Sequence, residues 1–343
     1  MEARKRKFCV YCKPEDINDA TFRYVEVIRR GLREAGGEDL GITWSDATLR
    51  RADDVVSISC MPAARVMWKH PGARLIHWFQ GIEAVERRFL HGGWRGWGRY
   101  VIWSALEYLV LRKARLKLFV SEEMRHFLGD DRLGKGRSLS FPCYNADPLP
   151  APVGTAGRYA SLDLVYAGSL YKWQRVEDVL ATFQLLSQAR PEATLTLFTR
   201  EVERARALCK AMGLTQVTVE SVSPAELVTA LQRFSYGFIL REDIAINRVS
   251  TPTKLSTCMA AGVIPVLTEA TPALSRLLEL VPYKVIVREP TQHRELADSL
   301  LDMARAAPSP AQVHAAFATV FSADFNDAVH ARRIAEALAA DLR

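Results

Sequence analysis

Apolar and polar positions follow two periods along this chain. Short apolar runs give way to stretches of helical spacing, and the rhythm is played twice. In the first half, residues 7–12 predict a strand. Residues 19–35 carry Phe22, Val25, Val27, Ile28 and Leu32 at helical spacing and stop at Gly36-Gly37. Residues 54–59, 74–79 and 117–120 predict further strands, and 100–110 a very apolar helix. Ser121-Glu122-Glu123 caps a helix running to Leu128, and 139–141 is a short strand. Residues 145–156 are rich in Pro and Gly. Proline removes backbone donors and disfavours helix, so a linker is expected there.

The second half repeats the alternation. Strands are predicted at 162–167, 193–199, 217–219, 236–240, 263–267 and 284–287, and helices at 176–189, 201–212 and 252–261. Ser223-Pro224-Ala225-Glu226 is a helix-start signal, with a cap, Pro at the first helical position and Glu at the third. Apolar strands alternating with helices imply parallel sheets covered on both faces. The expected fold is α/β, with two Rossmann-like domains facing a cleft. Residues 1–145 form the first domain, 146–160 the linker and 161–325 the second domain. Residues 326–343 form a C-terminal helix expected to pack back on the first domain.

Composition changes this picture little. With 343 residues, 49% hydrophobic and 25% charged, the chain can build two cores and is neither disordered nor fibrous. No apolar run approaches the roughly 18 residues of a membrane span. The start, residues 1–7, is basic, and the apolar stretch 8–12 is too short for a signal sequence, so a cytoplasmic location is expected. Cys9 and Cys12 form a C-x-x-C pair without a second pair at zinc spacing. They read as small apolar residues of a buried strand, and no metal site is expected.

Charge is more informative. The net charge is +7, and residues 85–117 hold Arg87, Arg88, Arg95, Arg99, Arg112, Lys113, Arg115 and Lys117 against Glu86 and Glu107 alone. Trp94, Trp97, Tyr100, Trp103 and Tyr108 lie among these cations. Such a window suits an anionic bilayer interface. A packed helix with a solvated basic flank and a single-strand nucleic-acid surface are the competing readings. Peripheral membrane contact through residues 87–117 is favoured, with no nucleic acid expected. Gly92, Gly93, Gly96 and Gly98 make the start of this window a poor helix.

No G-x-G-x-x-G follows the first strand, where Lys13-Pro14-Glu15-Asp16 stands instead. Walker A, G-x-S-x-G, H-E-x-x-H and Asp-x-Asp motifs are absent from the sequence. In residues 238–267 a strand runs into a polar loop with Arg241, Asn247 and Arg248, and a helix opens at Thr251-Pro252-Thr253-Lys254. Free amides at that helix start, with Lys254 beside them, suit an anion such as a diphosphate; a capped helix with a solvated lysine is the bland alternative. In the first half, His77 comes near the C-terminal end of its strand, the edge where open α/β sheets bind ligands, with Gln80 and Gly81 after it.

Three stretches resemble the GT-B glycosyltransferases, in particular the retaining, family-4-like transferases of bacterial surface polysaccharide and lipopolysaccharide biosynthesis. Asn247-Arg248-Val249-Ser250-Thr251-Pro252-Thr253-Lys254, with Ala260-Ala261-Gly262-Val263-Ile264-Pro265-Val266, is similar to their N-R-V-x-S-P-T-K … A-x-G-x-P-V string. Tyr166-Ala167-Gly168-Ser169-Leu170-Tyr171-Lys172-Trp173 is similar to Y-x-G-S-x-x-K-W. Val120-Ser121-Glu122-Glu123-Met124, followed by the run from Phe141 to Asp147, resembles more weakly a V-S-x-x-M … P-x-x-x-x-D stretch. The resemblance covers residues 117–267. The first 115 residues share only the strand–helix pattern.

The resemblance implies an acceptor-side first domain and a nucleotide-sugar donor domain after it. Gly168, Ser169, Lys172, Arg241, Thr253, Lys254 and Leu255 would bind the donor diphosphate. It also implies a cleft with His77, Gln80 and Gly81 near the donor sugar. His77 and Glu83 are the catalytic candidates, with Glu83 or Glu86 as an acceptor-side base. One departure stands out: the positions of the family's Glu-x7-Glu pair are Val249 and Thr257. Thr257 and Glu242 are left as ribose or sugar contacts, with Asp243 nearby. The implied activity is metal-independent hexosyl transfer, with the nucleotide-diphosphate sugar as substrate and no other cofactor. The acceptor would be a glycan or lipid-linked saccharide at the inner face of the cell membrane. A nucleotide-sugar epimerase on the same fold and a non-enzymatic nucleotide- or membrane-binding module are the alternatives.

Overall fold

The structure is a computed structural model that describes residues 5–133 and 136–339. The chain divides into two compact units, Met1–Cys143 with Asn326–Arg343, and Tyr144–Phe325. The last four residues of the expected C-terminal helix, and the first four of the basic start, lie outside the described residues.

The first unit runs β1 (Lys7–Tyr11), α1 (Asp19–Glu34), β2 (Glu38–Thr43), α2 (Asp46–Leu49), β3 (Asp54–Ser57), α3 (Cys60–Lys69), β4 (Arg74–Phe79), α4 (Glu83–His91), α5 (Gly93–Lys113), β5 (Leu116–Phe119), α6 (Glu122–Leu128), α7 (Asp130–Leu133) and β6 (Arg137–Ser140). All pairings are parallel, in the order β2-β1-β3-β4-β5-β6. Phe8, Cys9, Val10 and Tyr11 are buried, as a central parallel strand requires. Burial pushes the Cys9 thiol up to about 12 and the Cys12 thiol to about 11, which leaves both as inert packing groups. The Asn18 side chain accepts from the Thr21 amide at 3.0 Å and starts α1, whose Val25, Val27, Ile28 and Leu32 turn inward. Phe22, expected in that stripe, is exposed.

The glycine-rich stretch before residue 100 is helical, against expectation. Gly96 lies against the Arg88 carbonyl, where a Cβ would come within 3.1 Å, so tight packing of α4 on α5 offsets the low helix propensity. Lys117, counted with the basic window, turns inward and pairs with Asp130 at 2.6 Å.

The second unit runs β7 (Asp163–Ala167), α8 (Val176–Ala189), β8 (Thr194–Phe198), α9 (Val202–Ala211), β9 (Val217–Glu220), α10 (Leu227–Leu231), β10 (Tyr236–Ile239), α11 (Ala245–Arg248), α12 (Lys254–Ala260), β11 (Ile264–Thr268), α13 (Pro272–Leu277), β12 (Val285–Val287), α14 (His293–Ala306) and α15 (Pro310–Ala323). Its parallel sheet has the order β12-β11-β10-β7-β8-β9. The segment expected to link the halves is tied into this unit. Arg158 Nε donates to the Phe234 carbonyl at 3.0 Å and the Tyr159 hydroxyl to the Gly262 carbonyl at 2.6 Å. The final helix α16 (Asp327–Ala339) belongs to the first unit and packs on α1, where Arg23 Nε meets Asp327 at 3.0 Å.

Two helix starts differ from expectation. α10 opens at Leu227 rather than after Ser223, whose hydroxyl is spent on the Glu226 carboxylate at 2.6 Å. α12 opens at Lys254, with Thr253 at the N-cap and Pro252 outside the helix, and spans only 7 residues. So short a helix has little macrodipole to offer an anion. Any anion site there has to rest on side chains.

Candidate functional site

In an open parallel sheet, ligands gather beyond the strand C-termini where the strand order reverses. In the second unit that point lies between β7 and β10, and a cavity of about 570 Å³ opens there. Gly168, Ser169, Thr253, Lys254 and Thr257 of the expected set line it, together with Asn145, Thr199, Arg200 and Glu201, which were not foreseen. Phe198, Val222 and Leu227 supply an apolar side.

Lys254 organises the polar end. Its Nζ donates to Gln174 Oε1 and sits 4.7 Å from the centre of the Tyr166 ring. Tyr166 donates to the same Gln174 oxygen at 2.9 Å, and Gln174 Nε2 donates to Ser169 Oγ at 2.7 Å. A Cβ on Gly168 would collide with Lys254 Nζ, so a side chain there would displace the ammonium. Burial, and then the neighbouring Arg241 guanidinium, hold the Lys254 pKa well below its ordinary value. Arg241 follows β10 and is itself buried, its amide bonded to Thr268 Oγ1 at 3.1 Å and its Nη1 without a hydrogen-bond partner among the described residues. Neither cation pairs with a carboxylate among the described residues. Buried polar groups in folded proteins are normally partnered, so a guanidinium nitrogen without a partner, beside an ammonium held only by a neutral amide and a ring, is a place that an anionic ligand would complete.

The single Thr257 hydroxyl proton is shared between Asn145 Oδ1 at 2.8 Å and the Thr253 carbonyl at 3.1 Å. Glu201 accepts from the Leu170 amide at 2.7 Å, and that bond, with Arg204, lowers its carboxyl pKa. Lys172 opens a short 3-10 helix and is exposed, Leu255 is buried in the core, and Glu242 is held through its backbone by Trp173 and Asn247. None of the three lines the cavity. Asp243 is paired with Arg248.

The first unit has its own cavity, about 620 Å³, beyond the ends of β1 and β3, where its strand order reverses. Trp44, Trp68 and Trp103 line it with Lys13, Arg65, Arg87, Asp16 and Glu83. Glu83 accepts the Cys60 amide at 2.8 Å at the start of α3, and burial raises its pKa. Burial likewise raises Glu86, and lifts Glu107, which accepts the Ala84 amide at 3.1 Å, to about 7. His77 lies within the sheet, 1% exposed, its Nδ1 at 2.7 Å from Ser57 Oγ; burial lowers it to about 3. It lines neither cavity. Gln80 reaches back to the Ile58 carbonyl at 2.9 Å, and Gly81 makes room for Glu86. Among the described residues no group of three His, Cys, Asp or Glu is placed to hold a metal ion.

No protein-family model matches the chain, and no curated protein matches its sequence. Solved structures do match its fold. Sucrose-phosphate synthase from Thermosynechococcus elongatus superposes with a TM-score of 0.67 at 13% identity, over 99% of each chain. Anabaena HepE, solved with UDP-glucose, gives 0.66 at 12% identity, over 98% of this chain and 100% of its own. The pneumococcal O-GlcNAc transferase GtfA, solved with UDP and GlcNAc, gives 0.60 at 10% identity, over 83% of this chain. The chain spans 57% of that GtfA chain and 56% of the matched chain in the GtfA/B complex. The two parallel sheets with flanking helices are thus the two-domain Rossmann-like arrangement of the GT-B glycosyltransferase fold.

Proposed function

We propose that the chain is a glycosyltransferase whose donor, a nucleotide-diphosphate sugar, binds in the cavity of the second unit. The observation that carries this reading is Lys254 on the cavity wall, next to Gly168, with the buried Arg241 guanidinium beside it outside the lining, neither of them paired with a carboxylate. A diphosphate supplies the missing charge through strong charge-assisted hydrogen bonds. The cavity has the size of a small-molecule site and an apolar side for a nucleoside. HepE and GtfA, of similar fold, hold UDP-glucose and UDP with GlcNAc.

On this reading the bond from the sugar's anomeric carbon to the β-phosphate oxygen breaks. An acceptor hydroxyl oxygen takes its place and gives up its proton. Lys254 and Arg241 stabilise the charge growing on the departing nucleoside diphosphate, so the reaction needs no metal. Gly168 and Ser169 let the backbone approach the phosphates, and Thr253 and Thr257 offer hydroxyls. Glu201 takes the ribose-binding part that Glu242, outside the cavity, is not positioned to play. Glu83, a carboxyl of raised pKa on the wall of the first unit's cavity, is the acceptor-side base. The acceptor is a glycan or lipid-linked saccharide of surface polysaccharide synthesis at the inner face of the cell membrane, a reading the basic aromatic window supports.

Thermal shift and calorimetry with UDP-, GDP-, ADP- and dTDP-sugars test the donor site. Lys254→Ala is expected to weaken the preferred nucleotide by about 10- to 150-fold, the worth of a hydrogen bond to a charged group. Unchanged affinity in that variant would refute the assignment. Turnover that needs an added saccharide acceptor separates transfer from epimerisation.

A further inference from the structure

The longest helix of the first unit is apolar on two sides. On one side of α5, Gly96, Tyr100, Trp103, Glu107 and Val110 face the protein. On the other, Trp94, Trp97, Val101, Ile102, Tyr108 and Leu109 recur at helical spacing and are all exposed, Trp94 by 80% and Ile102 by 60%. Phe89 and Leu90 on α4, which packs against α5, are exposed as well. Scattered exposed apolar residues are ordinary, but a stripe along a whole helix is not.

The cations around this stripe are uncommitted. Arg88, Arg95 and Arg112 lie over the rings of Tyr100, Trp94 and Tyr108 at 5.7, 5.4 and 5.7 Å, and Arg99 contacts His91. None of these four, nor Lys113, has a carboxylate within ion-pair distance among the described residues. Glu107 is turned inward and offsets none of them at the surface. No helix of the described residues is long and apolar enough to cross a membrane.

We infer that the first unit docks on an anionic lipid surface through this face of α5. The helix lies in the interface, with Trp94, Trp97, Val101, Ile102 and Leu109 among the acyl chains and the arginines at the phosphates. Charge selects this occupant. A second copy of the chain would set one basic patch against another, and a nucleic acid offers nothing to Val101, Ile102 and Leu109. The inference deepens the lipid-linked acceptor reading and rests on it only for why the enzyme should sit at a membrane. The docking itself stands on the surface alone.

Flotation of the full chain with vesicles tests it. We expect co-flotation with phosphatidylcholine vesicles containing about one-third phosphatidylglycerol. Binding should fall about tenfold or more on pure phosphatidylcholine or in high salt. The combined substitutions Trp94→Ser, Trp97→Ser and Ile102→Ser should cost at least about tenfold, the worth of a few buried apolar side chains, and leave nucleotide-sugar binding unchanged. Arg95→Glu with Arg99→Glu, which leaves the apolar stripe intact, should also release the protein from anionic vesicles; it decides the matter should the triple variant unfold. Absence of flotation overturns the inference. So does a concentration-dependent dimer that the triple variant abolishes without vesicle binding, or capture of single-stranded nucleic acid in place of vesicles. Flotation without any nucleotide-sugar binding would instead leave the docking standing and remove the transferase reading.

Discussion

Burial, and then the Arg241 guanidinium, disfavour the charged form of Lys254. Its folded pKa lies below the unfolded value, so between the two the unfolded chain holds more protons than the folded one. Stability therefore rises with pH across that window and is lost as pH falls through the folded value. The lowered pKa marks burial of this amine as a cost to stability, and Lys254→Met is expected to stabilise the ligand-free chain by about 0.5–2 kcal/mol. Gln174 Oε1 then shares the single Tyr166 proton with the Ser169 carbonyl, which limits the gain. A bound diphosphate reverses the balance, because it favours the protonated amine. Nucleotide affinity should weaken as pH climbs above the free-chain pKa, and Lys254→Met should flatten that slope. Calorimetry at several pH values reads both effects, and equal slopes in variant and wild type would take Lys254 out of the site. Lys254 was legible in the sequence because the motif and the cavity meet at one residue. Glu201 was not, since it reaches the cavity from a distant segment with no motif of its own, and Asn145 lay at an unspecified position of the weakest of the three resembling stretches. The end of β8 still offered a signal, for polar residues just past a parallel strand lie on the ligand edge.

At the level of elements, the central strands were plain because burial on both faces makes them unbroken apolar runs. β2 escaped for the opposite reason: it is an edge strand whose Glu38 is exposed, whose Asp39 is held by Arg29 at 2.9 Å, and whose other residues are only half-buried. The first half of α5 was hidden by its glycines, which local propensity penalises and close helix packing rewards. The same trade governs α1 and α16. At Gly31 a Cβ would stand 2.8 Å from the Ala331 carbonyl oxygen and from Ile334 Cβ, and both of these belong to a packed helix that cannot yield cheaply. Gly31→Ala gains helix propensity worth about 1 kcal/mol, yet overpacking is expected to cost about 1–3 kcal/mol and win. Thermal melts should show a lower Tm, with faster amide exchange concentrated in 327–339. A raised Tm would mean that α16 does not sit this close to α1.

In each unit the sheet reverses strand order once, between β1 and β3 in the first and between β7 and β10 in the second, and each unit places its cavity beyond the strand ends at that point. This much follows from topology, and the sequence carried it in the alternation of strand and helix. What the alternation could not carry is which surface each ligand meets, because exposure is a property of the packed helix and not of its composition. Lys117 and Trp94 sit in the same basic aromatic window, yet one is sealed against Asp130 and the other stands in solvent. The two proposed ligands should therefore leave separate footprints in hydrogen exchange. A saturating nucleotide sugar, at about 100 times its Kd, adds about 2.7 kcal/mol to the bound state. Its local protection should fall on 168–174, 198–201 and 253–258. Anionic vesicles should protect 89–109 and leave those loops unchanged. Protection of 89–109 by the nucleotide sugar alone would mean that the α5 surface answers to the donor rather than to lipid. The helix would then have to be read as part of the transfer machinery instead of as its anchor.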